Sequence, residues 1–283
     1  MPSLLDIRRR IKSVKNTQKI TKAIKMVAAS RLRRASEMAV EARPYVNGLE
    51  RVHNSITRRM SEINDPLYQS QSGKTLLVVI SADKGLCGSF NANVLKASLR
   101  FIRKNGIENT AILPIGKKAL GFFKRSQCEV LPGMVDLFRN LNSAAAEPLA
   151  HKLTQAYREG KFSEIVIIYN AFKNILVQEV TTSRLLPLSA EHGEDDSSAV
   201  EHLTEPSLEA IISEMAPKLI VTKVFQALME SNAAEQAAKM TAMDAATNNA
   251  SDMIEKLTLE MNKARQAAIT KELIEIVSGA AAL

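Results

Sequence analysis

Two short stretches hold residues whose types and spacing could do chemistry. Gly73, Lys74 and Thr75 end like the phosphate-cradling GxxxxGK[ST] loop, in which backbone amides hold phosphates and the lysine reaches the terminal ones. The first glycine of that pattern would have to be Tyr68, and the triplet precedes an apolar run instead of following one, so nucleotide binding is not expected there. Gly85, Leu86, Cys87 and Gly88 do follow an apolar run and precede a helical one, the place where a helix N-terminus often holds phosphate. They lack GxGxxG spacing, and a tight exposed turn or contact loop suits Lys84 through Gly88 better. Cys87 and Cys128 match no CxxC or metal spacing, as befits a reducing compartment, and His53, His151, His192 and His202 are scattered. No Ser/His/Asp set or paired carboxylates emerge, so neither catalysis, a cofactor nor a metal is expected.

The elements that would position such residues are dominated by the last third, residues 207–283. Small or apolar positions fall at Met240, Met243, Thr247, Ala250, Ile254, Leu257, Met261, Ala264 and Ala268, alternating steps of three and four. That is a heptad seam. Neither Gly nor Pro interrupts residues 218–278, and strong helix formers fill the stretch. A helix over the whole segment would run roughly 115 Å at 1.5 Å per residue, and its seam requires a partner helix.

A second long helix begins the chain. Leu4, Ile7, Ile11 and Val14, then Ile20, Ile24 and Val27, then Leu32, Ala35 and Met38 keep helical spacing with one slip near Gln18, and Ser3 reads as the N-cap. The pattern continues to Ile56, with kinks expected at Pro44 and Gly48. A cleaved transit or secretory leader is not expected, because the periodicity continues for some fifty residues and lysines interrupt any apolar core. No apolar run approaches membrane-spanning length.

Between the helices, residues 64–73 read as a linker. The run 75–81 (TLLVVIS) has the length and β-branching of a buried parallel strand. Helices near 91–104, 117–125 and 143–158 alternate with strands near 110–114, 129–131 and 164–170, and residues 176–186 read as a final antiparallel strand. The fold class is therefore α/β: a long antiparallel coiled coil of N- and C-terminal helices plus a central Rossmann-like α/β domain, doubly wound. The expected divisions are 1–60, 74–200 and 207–283, with an acidic surface loop at 191–198.

Charge is uneven. Residues 1–58 hold 14 Lys and Arg against 4 acids (+10), whereas 207–283 hold 7 against 10 (−3), so the excess behind the net +8 is N-terminal. Such a segment suits nucleic acid, an anionic surface or an acidic protein partner. One acidic partner lies in the same chain: antiparallel helices leaving the domain near 58 and 207 pair at numbers summing to about 265, give or take a turn. A basic coiled-coil scaffold for nucleic acid, or an enzyme on the Rossmann-like domain, are the competing readings.

QKITKAIKMVAASRLRRA (residues 18–35), SADKGLCG (81–88) and NKARQAAITKELIEIVSGAAAL (262–283) resemble the signatures of the ATP synthase gamma subunit family, in this order and across the whole chain. The resemblance implies a non-catalytic central rotor shaft of a bacterial-type enzyme, turning inside a hexamer of alpha and beta subunits. It implies a foot bound to the epsilon subunit and the membrane c-ring, and coupling of proton flow to ATP synthesis or hydrolysis. It implies peripheral association with the cytoplasmic side of the inner membrane, without a span, nucleic acid or cofactor. Arg265 and Gln266, with Thr270 nearby, match contacts to the beta subunits; Glu235 and Lys239 match a second polar contact region. Lys239 stands where Arg is usual, which removes a bidentate donor, and Ile24 stands for a common Met. Lys84, Gly85, Leu86, Cys87 and Gly88 are the expected foot contact to epsilon and the c-ring. The dithiol insertion of the chloroplast relatives is absent, so redox control is not expected. Ile7, Ile11 and Ile24 are expected in the seam against Met240, Met243, Ile254, Leu257 and Met261. Arg265 and Gln266 fall at e and f, turned away from the partner helix.

Overall fold

The computed structural model describes residues 4–60, 62–189, 205 and 207–281. The expected Ser3 cap, the acidic stretch 191–198 and the last two residues of the C-terminal tip lie outside them. The order of elements is α1 (Leu4–Thr57), β1 (Lys74–Ile80), α2 (Phe90–Asn105), β2 (Thr110–Ile115), α3 (Lys117–Phe123), β3 (Glu129–Val130), α4 (Ser143–Arg158), β4 (Phe162–Phe172), β5 (Gln178–Leu186) and α5 (Leu208–Ala281). A short 3-10 turn at Leu137–Asn140, which periodicity does not signal, precedes α4. Helix α1 continues through Pro44, which lacks the N–H that would donate to Val40.

The chain divides into two compact units, Met1–Ala29 with Lys239–Leu283, and Ser30–Ala238. The division falls inside both long helices, whereas sequence places it at their ends, because the inner halves of α1 and α5 bury their apolar faces with the sheet.

In the first unit, α1 and α5 run antiparallel. Gln18 Nε2 donates to Ser251 Oγ (2.7 Å), the hydroxyls of Thr21 and Thr247 meet at 2.8 Å, and Lys25 Nζ lies 2.5 Å from Asp244. These paired numbers sum to 268 or 269, one helical turn from the expected 265 and within the stated tolerance. The slip near Gln18 does not exist. Steps of three and four pass unbroken through Ile7, Ile11, Val14, Gln18, Thr21, Lys25 and Ala28, with Ile7, Thr21 and Ala28 buried. Ile20 (59% exposed) and Val27 (54%) face outward instead. Counting apolar residues misplaces the seam here because its central layers are polar, each satisfied by a partner across the helix pair.

In the second unit the same spacing continues along α1 through Leu32, Ala35, Ala39, Val46, His53 and Ile56, all buried. Met38, expected in the seam, is exposed beside Ala39. The sheet order is β3-β2-β1-β4-β5, with β5 alone antiparallel. Alternation along β1 sends Leu77 and Val79 to the face covered by α2 and α3, and Leu76, Val78 and Ile80 to the face covered by α4 and the inner part of α5. Both faces are thus covered, which is why β1 reads as an unbroken apolar run.

Charged groups are enclosed with this core. Arg43 donates to the Phe172 carbonyl (2.9 Å) and lies 3.9 Å from Glu230, whose carboxyl burial pushes up while Arg43 opposes. Burial, then the charges of Glu230 and Glu50, pushes the Tyr169 phenol up to about 12. His53 stacks on Tyr68 at 5.6 Å between ring centroids, with its Nε2 2.7 Å from Tyr68 Oη. Burial holds the His53 pKa below its ordinary 6.5, with the Asn54 hydrogen bond opposing.

A histidine whose folded pKa is depressed opposes folding once the unfolded ring takes up a proton. Its contribution is therefore nil well above pH 6.5 and becomes destabilising as pH falls through that value toward the lower folded pKa. Glu230, with a raised pKa, acts oppositely in the window above 4.5. Denaturant unfolding of wild type and His53→Gln between about pH 7.5 and 5.5 should show a steeper acid loss in wild type; parallel profiles would show that His53 stays solvated.

Candidate functional site

Residues 81–88, the quoted SADKGLCG, leave the carboxyl end of β1 and are braced by backbone from two other connections. Ser81 Oγ donates to the Ile115 carbonyl (3.0 Å) and accepts the Ala119 amide (2.8 Å). One oxygen of Asp83 accepts the Lys117 amide (3.0 Å) and the other the Asp136 amide (3.1 Å), while Lys117 Nζ pairs with Asp136. The Asp136 hydrogen bond raises the Lys117 pKa. Gly116 makes this close approach possible: its φ is +86°, and a Cβ there would lie 2.2 Å from the Ser81 carbonyl oxygen.

On that brace the loop turns sharply at Leu86, a non-glycine residue with φ of +66°, and exposes Lys84, Leu86 and Gly88 while burying Cys87. Gly85 is half-buried. Asn91 secures the turn from the first coil of α2, donating to Cys87 Sγ (3.1 Å) and accepting the Ala82 amide (3.0 Å). Asn170 on β4 donates to the Phe90 carbonyl (3.3 Å). The β1/β4 junction is where strand order reverses and where doubly wound sheets usually bind ligands. Here the chain's own Phe90, Asn91 and Cys87 are drawn into it, which suits a contact loop. The false phosphate loop is equally occupied: Lys74 pairs with Glu129 (2.8 Å), and Thr75 is a buried strand residue.

Within this unit the carboxyl edge of β4 lies level with Arg43 on α1 and Glu230 on α5. Around that level α5 is enclosed on almost every side, with Ser231, Ala233, Ala234, Glu235, Gln236 and Ala237 buried. Glu235 is only 5% exposed, so it offers little surface for the polar contact expected of it.

In the other unit the seam positions Met240, Met243, Thr247, Ala250, Ile254, Leu257, Met261, Ala264 and Ala268 are all buried or half-buried, as the heptad requires. Ile7, Ile11 and Ile24 are buried or half-buried, and Lys239 is half-buried. Arg265, Gln266 and Thr270 are exposed, with the Thr270 hydroxyl donating to the Gln266 carbonyl of its own helix (2.9 Å). From Ile269 to Ala280 every described side chain is exposed, including Leu273, Ile274, Ile276 and Val277. Among the described residues nothing covers these apolar side chains, the pattern of a surface that meets another chain.

Two sets of residues escape sequence reasoning, one through polarity and one through separation along the chain. Gln18, Thr21 and Lys25 were detectable only by holding the heptad count through polar positions. The Asp83, Gly116 and Asp136 brace depends on three separated loops and carried no local signal beyond Asp83 opening a Gly-containing turn.

A family model described as ATP synthase matches residues 3–283. The chain belongs to the ATP synthase gamma chain family. Among curated members, the ATP synthase gamma chain of Geotalea daltonii is 46% identical, covering 99% of this chain and 98% of its own length. That of Chlorobaculum parvum is 42% identical over 100% and 99%. Among solved structures, a chain of the central stalk and c-ring of Tetrahymena thermophila mitochondrial ATP synthase is 27% identical, with a TM-score of 0.61, covering 80% of this chain and 99% of that one. A chain of the Euglena gracilis mitochondrial enzyme shares the fold at 19% identity and a TM-score of 0.71 over 99% and 94%. Nothing in these likenesses favours the nucleic-acid reading. No helix among the described residues is long and apolar enough to cross a membrane.

Gly116→Ala should destabilise the second unit by about 2–4 kcal/mol, through backbone strain and the clash with Ser81. Thermal unfolding checks this; an unchanged midpoint would mean the turn relaxes freely.

Proposed function

We infer that this chain is the central-stalk rotor subunit of an ATP synthase, turning inside the alpha/beta hexamer and coupling ion flow through the c-ring to ATP synthesis or hydrolysis. The observation that carries this is the family match over residues 3–283. The exposed Ile269, Leu273, Ile274, Ile276 and Val277 support it, because an enclosing hexamer would cover side chains that no described residue of the chain covers. The chain itself is non-catalytic and associates peripherally with the cytoplasmic face of the membrane through the complex.

Torque must pass between rotor and head through contacts that grip and release. Arg265 and Gln266 suit this role: both are exposed on the side of α5 away from its seam. A charge-assisted hydrogen bond from arginine contributes roughly 1.5–3 kcal/mol, enough to favour one dwell and weak enough to break. Lys239 would add a point charge without the arginine fork. Lys84, Leu86 and Gly88, held out on the Asp83 brace, form a second contact with a neighbouring subunit, the foot loop expected to meet epsilon or the c-ring.

The purified chain should show no ATP hydrolysis, and turnover by the pure chain would end this reading. In the assembled complex, Arg265→Ala with Gln266→Ala should alter hydrolysis rate or its coupling to ion transport while leaving assembly intact. Unchanged kinetics and coupling would mean that the pair is merely solvated.

A further inference from the structure

The sheet ends on β5, and among the described residues no strand pairs with its outer edge. Such edges are usually blunted by lysine, proline or a bulge. Gln178–Leu186 contains no lysine or proline, its two charged residues, Glu179 and Arg184, lie toward its ends, and the register shift against β4, which skips Leu185, falls at its C-terminal end. Beside this edge, α2 carries Lys96, Arg100, Arg103 and Lys104 and no acid. Lys96, Arg100 and Lys104 are spaced at four residues, share one helix face and are exposed. Among the described residues none of the three forms an ion pair. A groove of about 430 Å³ lies between helix and strand, with Ala97, Arg100, Phe101 and Lys104 on one wall and Val180 and Thr182 on the other.

The hairpin leading into β5 adds an apolar end. Asn174 Oδ1 accepts the amides of Leu176 (2.9 Å) and Val177 (2.8 Å), and Gln178 Nε2 donates to the Ile175 carbonyl (2.9 Å). This ordered turn holds Ile175, Leu176 and Val177 in water, with Leu176 80% exposed.

We propose that β5 is a docking edge for an extended, acid-bearing segment of a neighbouring subunit. The segment adds as a sixth strand, sets carboxylates against Arg100 and Lys104, and covers Leu176 with an apolar residue. This rests on the reading of the chain as a subunit of a complex. Main-chain hydrogen bonds supply affinity, and alternate side chains pointing toward α2 supply specificity. The hairpin is already ordered, so docking costs little conformational entropy there. A second copy of this chain is disfavoured, since edge-to-edge pairing would bring two basic α2 helices together.

Amide hydrogen exchange over residues 178–186, compared between the isolated chain and the purified complex, tests this. Assembly should slow the outward-facing amides by about tenfold or more. In complexes carrying Arg100→Glu with Lys104→Glu, most of that protection should be lost, and Leu176→Ser should lower it in part. Failure of only the charge-reversed chain to assemble, with its melting unchanged, supports the same conclusion. An intact complex in which this strand exchanges as fast as in the isolated chain overturns the proposal, as does protection unaffected by charge reversal. Concentration-dependent protection in the isolated chain would show self-pairing and overturn it too. If no complex forms with the wild-type chain, the proposed function fails with it, whereas an intact complex with an unprotected β5 defeats this proposal alone.

Discussion

Two helices that meet along a heptad seam can slide past each other by seven residues and still bury apolar side chains, so register must be set by something other than hydrophobicity. In the first unit it is set by three consecutive polar layers: Gln18 with Ser251, Thr21 with Thr247, and Lys25 with Asp244. The Lys25–Asp244 pair is half exposed and adds little stability by itself. Its value is specificity. A heptad slip would remove all three pairs and leave the buried Thr21 hydroxyl without its partner across the seam. A slip would leave Arg265 and Gln266 facing outward but would move them seven residues along α1, so the level at which they stand depends on this register.

The second unit illustrates how a fold usually associated with nucleotide binding can serve as a mounting. At the strand-order reversal, where a ligand would sit in a relative that binds one, this chain inserts its own turn and fastens it with Asn91 and Asn170. The surface left exposed is then the outer face of that turn rather than the crevice. Fold class alone would have pointed to the wrong side of the loop.

Much of this was legible in advance. The strands and helices fall within a few residues of where hydrophobic period places them, because β1, β2 and β4 are covered on both faces and α2 and α4 on one, so packing and local pattern agree. The C-terminal seam was legible for the same reason. The N-terminal seam was misread at Ile20 and Val27, which are apolar but outward, because the seam itself passes through the polar Gln18, Thr21 and Lys25. The division within α1 and α5 was illegible, since continuous helical pattern carries no mark where packing partners change. Glu235, a polar contact only by family resemblance, is buried, because the small Ser and Ala around it allow other parts of the unit to close over it.

The brace under residues 84–88 works through the main-chain amides of Lys117, Ala119 and Asp136, and this decides which of its positions can drift. Any residue with an N–H can replace Lys117 and still donate to Asp83. Position 136 is narrower, because its φ of +59° favours Asp, Asn or Gly. Asp83 and Gly116 have no substitute: one supplies both acceptor oxygens, the other the missing side chain. The charge around the loop can therefore be rewritten, one lysine at a time, to match a diverging partner without disturbing the geometry that presents Leu86.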